Sequence, residues 1–548
     1  MQMQFATIWE AVSDAIPDRT ALVHGETRRS WREFDDRAAR LARALGEFGI
    51  GPDAKIAQYM YNGTEYLEIC YAAFKLGAIP INTNYRYLED ELVYLLDNSD
   101  AELLFFHGVL GERVANVVDR LSKLRVIVQV DDGSPQIDGA LRLEDLISAS
   151  EPAERAERPL DGLYMLYTGG TTGLPKGVMY DVSGFTNAMM LGHVTHGLPL
   201  PQTADDVLPN VLRLHEQGNA PVTIVCCPLM HGTGLWVGGF VTLNLGGTLV
   251  TMEGTSFDAD RLWRTVERER AADLVIVGDA FAKPMLRALE QAEARGEPYD
   301  ISSIELIASS GVMWTSEVKR RLLEYNEMVL IDIMGSSEGG MAQSVTTRAN
   351  ASETARFQLN PTSKVFTDDD QEVQPGSGEI GMVATTGMVP LGYYKDAEKS
   401  ARTFRTVDGV RYSFPGDYAT VEADGSIALL GRGSVCINSG GEKIFPEEVE
   451  EAVKLHASVY DCMVVGVPDE RFGEAVTAVA SLYPEQTASE EEILARARGS
   501  LSSYKLPKHI VLVDVVRRAP NGKADYKWAR EHALQVLGPR PEDRETPL

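Results

Sequence analysis

The segment Leu166-Tyr167-Thr168-Gly169-Gly170-Thr171-Thr172-Gly173-Leu174-Pro175-Lys176-Gly177-Val178 decides how the chain is read. Gly169, Gly170 and Gly173 free the backbone to curl, and Thr168, Thr171 and Thr172 add hydroxyls, so the loop can present several donors to phosphate oxygens. Lys176 adds a cation. The pattern is a phosphate cradle but not a Walker A loop, because Leu174 and Pro175 precede Lys176 and Gly177 replaces the Ser or Thr that would hold Mg2+. A flexible turn is the bland alternative, and the surrounding chain bears on the choice.

From the start to about residue 157, helical and strand-like segments alternate. Across residues 65–76, Tyr66, Ile69, Cys70, Ala73 and Phe74 share one helical face, and Gly77 takes the C-cap position. Apolar runs at 101–106 and 124–130 read as buried strands, which makes this region α/β. Further strands are expected at 274–277, 304–308 and 328–334, and residues 376–386 and 425–430 have the glycine punctuation of a β-rich subdomain. Residues 220–252 carry no Asp, Glu, Lys or Arg and exceed the ~20 residues that span a bilayer. Pro228 and the glycines at 232, 234, 238, 239, 246 and 247 interrupt them, so the expectation is a buried strand, turn, helix and strand rather than an integral membrane segment. A boundary falls at Gly431-Arg432-Gly433-Ser434, and the residues beyond it have the length and alternation of a small α+β domain, ending in a frayed tail.

Composition narrows the partners. The 548 residues allow about three to five structural units and include 52 Lys plus Arg against 80 Asp plus Glu, a formal net charge of −28. Such a surface repels phosphate backbones and anionic lipid, so no nucleic acid partner is expected and any anionic ligand must be held by local devices. Cys70, Cys226, Cys227, Cys436 and Cys462 form no CxxC pair and have no His at metal-ligand spacing, which argues against zinc and a disulfide framework. The first residues carry acids and lack an apolar run, so no signal peptide is read and a cytoplasmic location is expected.

Other motifs come after the loop in order: PLMHGTG with His231, MGSSEGG with Glu338, GEIGMVATTG, SFPGDYA with Asp417, LGRGSVCINSGGEKIFPEEVE with Arg432, and PNGK with Lys523. This ordered series resembles the adenylate-forming superfamily of acyl-CoA synthetases, aryl-CoA ligases, luciferases and peptide-synthetase adenylation domains. The resemblance implies a large N-terminal domain of α/β subdomains plus a β-rich subdomain, residues 1–432. It also implies a small mobile α+β C-terminal domain, 433–548, with a hinge near Ser434. It implies ATP, coenzyme A and Mg2+ as cofactors and a small-molecule carboxylic acid as substrate. The carboxylate attacks the α-phosphorus of ATP, pyrophosphate leaves, and the thiol of coenzyme A then displaces AMP.

By the same resemblance Thr168, Gly169, Gly170, Thr171, Thr172, Gly173 and Lys176 surround the phosphates, and Glu338 with Thr172 holds Mg2+. Asp417 accepts both ribose hydroxyls, Arg432 lies near ribose and phosphate, and Lys523 bridges the carboxylate and α-phosphate. Ser310, Gly311, Met334, Gly335 and Ser337 contact the nucleotide, His231 lies between nucleotide and acyl pocket, and Gly440, Gly441 and Lys443 line the pantetheine path. The residue types suit these roles: a carboxylate accepts two hydroxyl donors, a hard cation prefers oxygen, and Lys is a compact point charge. Lys523 and the loop carrying Gly440 and Gly441 serve different half-reactions, which a rotation about Gly433-Ser434 would exchange.

Met334 and Ser434 depart from the family, which often has an aromatic residue and an Asp or Lys there. Gly335-Ser336-Ser337-Glu338-Gly339 also fits a hydrolase GxSxG elbow, but an elbow must lead into a helix and Gly339-Gly340 comes next. A non-catalytic nucleotide sensor stays open as a second class. The lengths expected to line the acyl pocket, after His231 and at 278–281 and 312–313, hold no Lys or Arg, which favours an apolar monocarboxylic acid. TGGTTG and MVPLGYYKD are similar to actinobacterial ligases for steroid side-chain acids, with fatty acids the competing substrate. Met- and aromatic-bearing surfaces are candidates for a homodimer interface.

Overall fold

The computed structural model describes residues 1–169, 174–351, 353–439, 442–469, 472–518 and 522–538, with the side chains of Ser434 and Lys443 outside that set. The tail expected to fray lies almost wholly beyond it. The chain divides into two compact units, one of Met1–Gly169, Leu174–Thr354 and Thr385–Ser413, the other chiefly of Ala355–Ala384 and the residues from Phe414 onward.

The first unit has two parallel sheets and a smaller antiparallel one. Five parallel strands run in the order Ile79–Thr83, Lys55–Tyr59, Ala101–His107, Val126–Val130, Leu141–Arg142. The larger sheet has Thr20–His24, Thr248–Thr251, Val222–Val225, Asp273–Ile276, Leu306–Ser310 and Val329–Ser336 as parallel neighbours, flanked by antiparallel Thr27–Ser30 and Gly339–Thr346. Parallel strands need crossovers, and amphipathic helices supply them. Thr64–Leu76 is one, ended by Gly77 at φ +68°, a left-handed position that glycine adopts without strain. Trp31–Glu47 instead leads from the edge of the larger sheet to the five-stranded one, and it is started by a capping box in which Ser30 Oγ accepts from the Glu33 N–H and the Glu33 carboxylate accepts from the Ser30 N–H.

The charge-free stretch folds as expected, giving strand Val222–Val225, a turn, helical Thr233–Asn244 in two pieces, and strand Thr248–Thr251. Its first helical piece, Thr233–Phe240, is a π-helix, a form concentrated at functional sites. Phe240 packs into an aromatic core with Phe5, Trp9, Phe74 and Tyr164. No helix among the described residues is long and apolar enough to cross a membrane.

The second unit begins with an antiparallel meander in which Ser426–Arg432 lies between Arg356–Leu359 and Asp417–Val421. A one-turn helix, Gly433–Val435, then leads to half-exposed Cys436 and a sheet ordered Glu442–Ile444, Ile437–Ser439, Gly473–Leu482, Val459–Asp469, with His509–Leu512 parallel to Gly473–Leu482. Helices Pro446–Lys454 and Glu490–Ala497 share one apolar cluster of this sheet, and Tyr526–Leu537 covers another. The other four cysteines are buried, and those four are free.

Candidate active site

Four neighbouring parallel strands of the larger sheet end on one side, and each hands over to a segment singled out from the sequence. Val222–Val225 leads to His231, Asp273–Ile276 to Gly278, Leu306–Ser310 to Gly311, and Val329–Ser336 to Glu338. The carboxyl edge of such a sheet is where ligands bind in open α/β folds, because the loops there are free to diverge. His231 is half-buried just before the π-helix, its N–H on the Pro228 carbonyl at 3.2 Å. Ser310 is buried, and Gly311 has φ +95° with Thr233 Oγ1 3.8 Å from where a Cβ would stand. Met334 is buried on the next strand.

The following turn decides against a hydrolase elbow. Ser336 pairs with Gly339, so Ser337 and Glu338 form the two-residue tip of an antiparallel hairpin, and no helix comes after it. Gly335 precedes the tip within the strand. Glu338 N–H donates to Ser336 Oγ at 3.2 Å, and its Oε1 accepts from the Tyr393 hydroxyl at 2.7 Å. Tyr180 donates to the Ser337 carbonyl at 2.7 Å. The other acid of that strand, Asp332, is buried and paired with Lys319 at 3.1 Å, and burial raises its carboxyl to about 6. Among the described residues no three His, Cys, Asp or Glu converge into a metal cluster. A lone carboxylate nonetheless suits Mg2+, which is commonly held by one or two carboxylates together with substrate phosphates.

The strands on either side of the glycine- and threonine-rich segment are paired with each other. Leu163–Thr168 pairs with Lys176–Asp181, Thr168 lies opposite Lys176, and Gly392–Tyr393 adds a third strand against Val178 and Met179. Gly169 is exposed. Gly170, Thr171, Thr172 and Gly173 lie outside the described residues. Lys176 forms an ion pair with Asp396, and the ammonium holds that carboxyl below its usual range. Asp396 also caps the helix Ala397–Thr403 through the Lys399 N–H at 3.0 Å.

In the second unit, register places Asp417 opposite Arg432, whose Nε donates to Asp417 Oδ1 at 3.1 Å. Asp417 is 8% exposed, and its Oδ2 has no hydrogen-bond partner among the described residues. A buried anionic acceptor left open in this way fits a pair of hydroxyl donors. Lys523 follows Gly522, whose φ of +74° makes a turn closed by the Arg518–Ala524 bridge and by Arg518 donating to the Gly522 carbonyl at 3.1 Å. Arg518 is in turn gripped by both oxygens of Asp461 at 2.6 and 2.7 Å. Gly440, Gly441 and the Lys443 side chain are outside the described residues, although Asn438 and Ser439 pair with Lys443 and Glu442 across that hairpin.

Sequence reasoning missed Tyr180, Tyr393, Asp396 and Glu447. Glu447 lies in the first turn of the helix Pro446–Lys454, where Gly431 lacks the side chain that would collide with its carboxylate. Its Oε1 accepts from the Arg432 N–H at 3.4 Å and its Oε2 has no partner among the described residues. Burial raises its pKa, and the Glu450 and Asp417 charges raise it further. A carboxyl that titrates higher when folded contributes stability below its unfolded pKa, and loses that contribution as pH rises through the native value. Glu447→Gln should therefore gain thermal stability relative to wild type from about pH 5 upward, by about 1 °C per kcal/mol relieved for a chain of this length, and show no gain at pH 4. Melting curves across that range check it.

Residues 9–394, more than half of the chain, match the family described as AMP-binding enzyme. The chain belongs to the AMP-binding enzyme family. Residues 448–523 of this AMP-binding enzyme match that family's C-terminal domain. It is 39% identical to the 3-oxocholest-4-en-26-oate–CoA ligase of Rhodococcus rhodochrous, over 99% of this chain and 97% of the relative. Identity is 38% to the medium/long-chain-fatty-acid–CoA/3-oxocholest-4-en-26-oate–CoA ligase of Mycolicibacterium smegmatis, over 99% and 98%. The medium-chain acyl-CoA ligase Mig of Mycobacterium avium is 39% identical over 96% and 97%. The AMP-binding enzyme also matches the solved anthranilate CoA ligase AuaEII, in complex with anthranoyl-AMP, with a TM-score of 0.84 and 22% identity over 98% of each chain. A benzoate CoA ligase from Burkholderia xenovorans gives 0.78 and 23% over 96% and 99%. The expected fold, a large N-terminal α/β domain with a small C-terminal one, is borne out.

Proposed function

We propose that this enzyme is an AMP-forming acid–thiol ligase that activates an apolar monocarboxylic acid, a steroid side-chain acid or a medium- to long-chain fatty acid. The reading is carried by similarity along nearly the whole chain to relatives named as CoA ligases for those acids. Acyl-CoA ligases use ATP and coenzyme A as substrates, and the site chemistry suits both. Adenylation brings one anion onto another, so fixed cations and donors do most of the work. The loop from Thr168 to Lys176 donates to phosphate oxygens, Asp417 accepts the ribose hydroxyls beside Arg432, and Ser310, Gly311, Met334, Gly335 and Ser337 border the base. Glu338 and Thr172 would hold Mg2+, which when bound neutralises phosphate charge. Lys176 must exchange Asp396 for a phosphate oxygen as nucleotide arrives. Lys523 stabilises the charge that develops between carboxylate and α-phosphate.

The same proposal divides the enzyme at residues 432 and 433, with a hinge near Ser434 that exchanges Lys523 for the Gly440-Gly441 loop between half-reactions. An apolar acyl pocket is supported by how few polar groups its expected lining carries: Trp236 Nε1 donates to the buried Tyr164 hydroxyl at 2.7 Å, and Asp279 Oδ1 accepts from the Thr315 N–H at 3.0 Å while Oδ2, without a hydrogen-bond partner among the described residues, faces Lys283 Nζ at 3.6 Å. A cytoplasmic location is consistent with four buried, free thiols. A panel of medium-chain, long-chain and steroid carboxylates in a coupled pyrophosphate-release assay tests the reading. Release should require one of these acids and CoA thioester should form; release independent of any acid would favour a nucleotide sensor instead.

A further inference from the structure

Two tyrosine hydroxyls from the phosphate-loop sheet reach the acid-bearing hairpin tip. Tyr180 donates to the Ser337 carbonyl and Tyr393 to Glu338 Oε1, each at 2.7 Å. Tyr393 is 55 residues from Glu338 in sequence and has little freedom of its own. It is buried, pairs with Val178, and donates its N–H to Ser400 Oγ at 2.8 Å; its ring packs on Phe404 with centroids 5.1 Å apart. Glu338 is less constrained: it stands on a two-residue tip, half-exposed, and no second hydrogen bond to its carboxylate is present among the described residues.

We propose that Tyr393 is a positioning residue whose hydroxyl holds one oxygen of Glu338, so that the other faces the divalent cation accompanying ATP. The inference rests on the reading of Glu338 as a metal ligand. A carboxylate on a turn can rotate, and a fixed donor on one oxygen removes that rotation before the cation arrives. Outer partners of this kind change metal affinity by about 10–100-fold when removed. The tyrosine ring also lies 5.9 Å from Lys176 Nζ and 5.6 Å from Lys399 Nζ, so the acid and a phosphate-loop cation stand on either end of one fixed side chain.

Tyr393→Phe keeps the ring and deletes only the hydroxyl. Calorimetric titration of ATP into the full chain, without acid or coenzyme A and over a range of Mg2+ concentrations, tests the role. The variant should need about 10–100-fold more Mg2+ for half-maximal enhancement of ATP binding, bind ATP normally without Mg2+, and melt near the wild-type temperature. Added to Glu338→Gln, it should shift the Mg2+ requirement no further. An unchanged Mg2+ requirement, equal loss of ATP affinity with and without Mg2+, or additive effects in the double variant would each overturn the proposal. Wild-type ATP binding that ignores Mg2+ would overturn it together with the Glu338 assignment. Intact Mg2+-dependent ATP binding with no acyl-CoA formed would count against the ligase reading alone.

Discussion

Lys523→Ala is expected to slow acyl-adenylate formation by roughly 10²–10³, the scale for deleting one electrostatic donor at a transition state, while thioester formation from supplied acyl adenylate stays near wild type. The first half-reaction gathers charge on the α-phosphate, where a compact ammonium is worth most. The second has no use for Lys523 if the hinge carries it away. The Gly522 turn is braced by Arg518 and Asp461, so truncating Lys523 leaves its support standing. Pyrophosphate release and single-turnover thiolysis measure the two steps separately. Equal losses in both would sink the domain-exchange account and leave Lys523 as a general binding group.

Asp417→Asn should raise the KM for ATP by about 10²–10³, because two hydrogen bonds to a buried charged acceptor are worth about 1.5–3 kcal/mol each. An amide oxygen accepts less strongly, and its NH2 faces Arg432 at a position where Nε now donates. The decisive control removes the partner from the other side. Wild type should bind 3′-deoxy-ATP much more weakly than ATP, and Asp417→Asn should hardly distinguish them. A variant that still discriminates between the nucleotides would place the ribose elsewhere, and a large fall in its nucleotide-free melting temperature would assign the loss to stability.

Much of the fold was legible because buried parallel strands advertise themselves as short apolar runs. Residues 101–106 and 328–334 lie within Ala101–His107 and, but for Met328, within Val329–Ser336. Edges slipped where burial and pairing part company: Ile304 is buried but precedes the strand that begins at Leu306. Glu338 could be singled out because it sits in a local motif of glycines and serines. Tyr393 could not, since its partner is distant in sequence and a tyrosine in GYYKD looks like packing. Glu447 was hidden for a different reason. The enclosure of its carboxylate depends on Gly431 across a fold contact, and nothing in FPEEVE tells that half-buried acid, or the buried Glu450, from an acid facing solvent.

Cys436 stands directly after the one-turn helix Gly433–Val435, half-exposed, while Cys70, Cys226, Cys227 and Cys462 are buried with thiols whose ionisation burial opposes. Thiol reagents attack thiolates, so the buried four are protected both by access and by protonation. The natural chain therefore offers one preferred attachment point for a fluorophore or spin label, two residues beyond Ser434. The rotation proposed at that junction could be followed spectroscopically during turnover, without first engineering the other cysteines away.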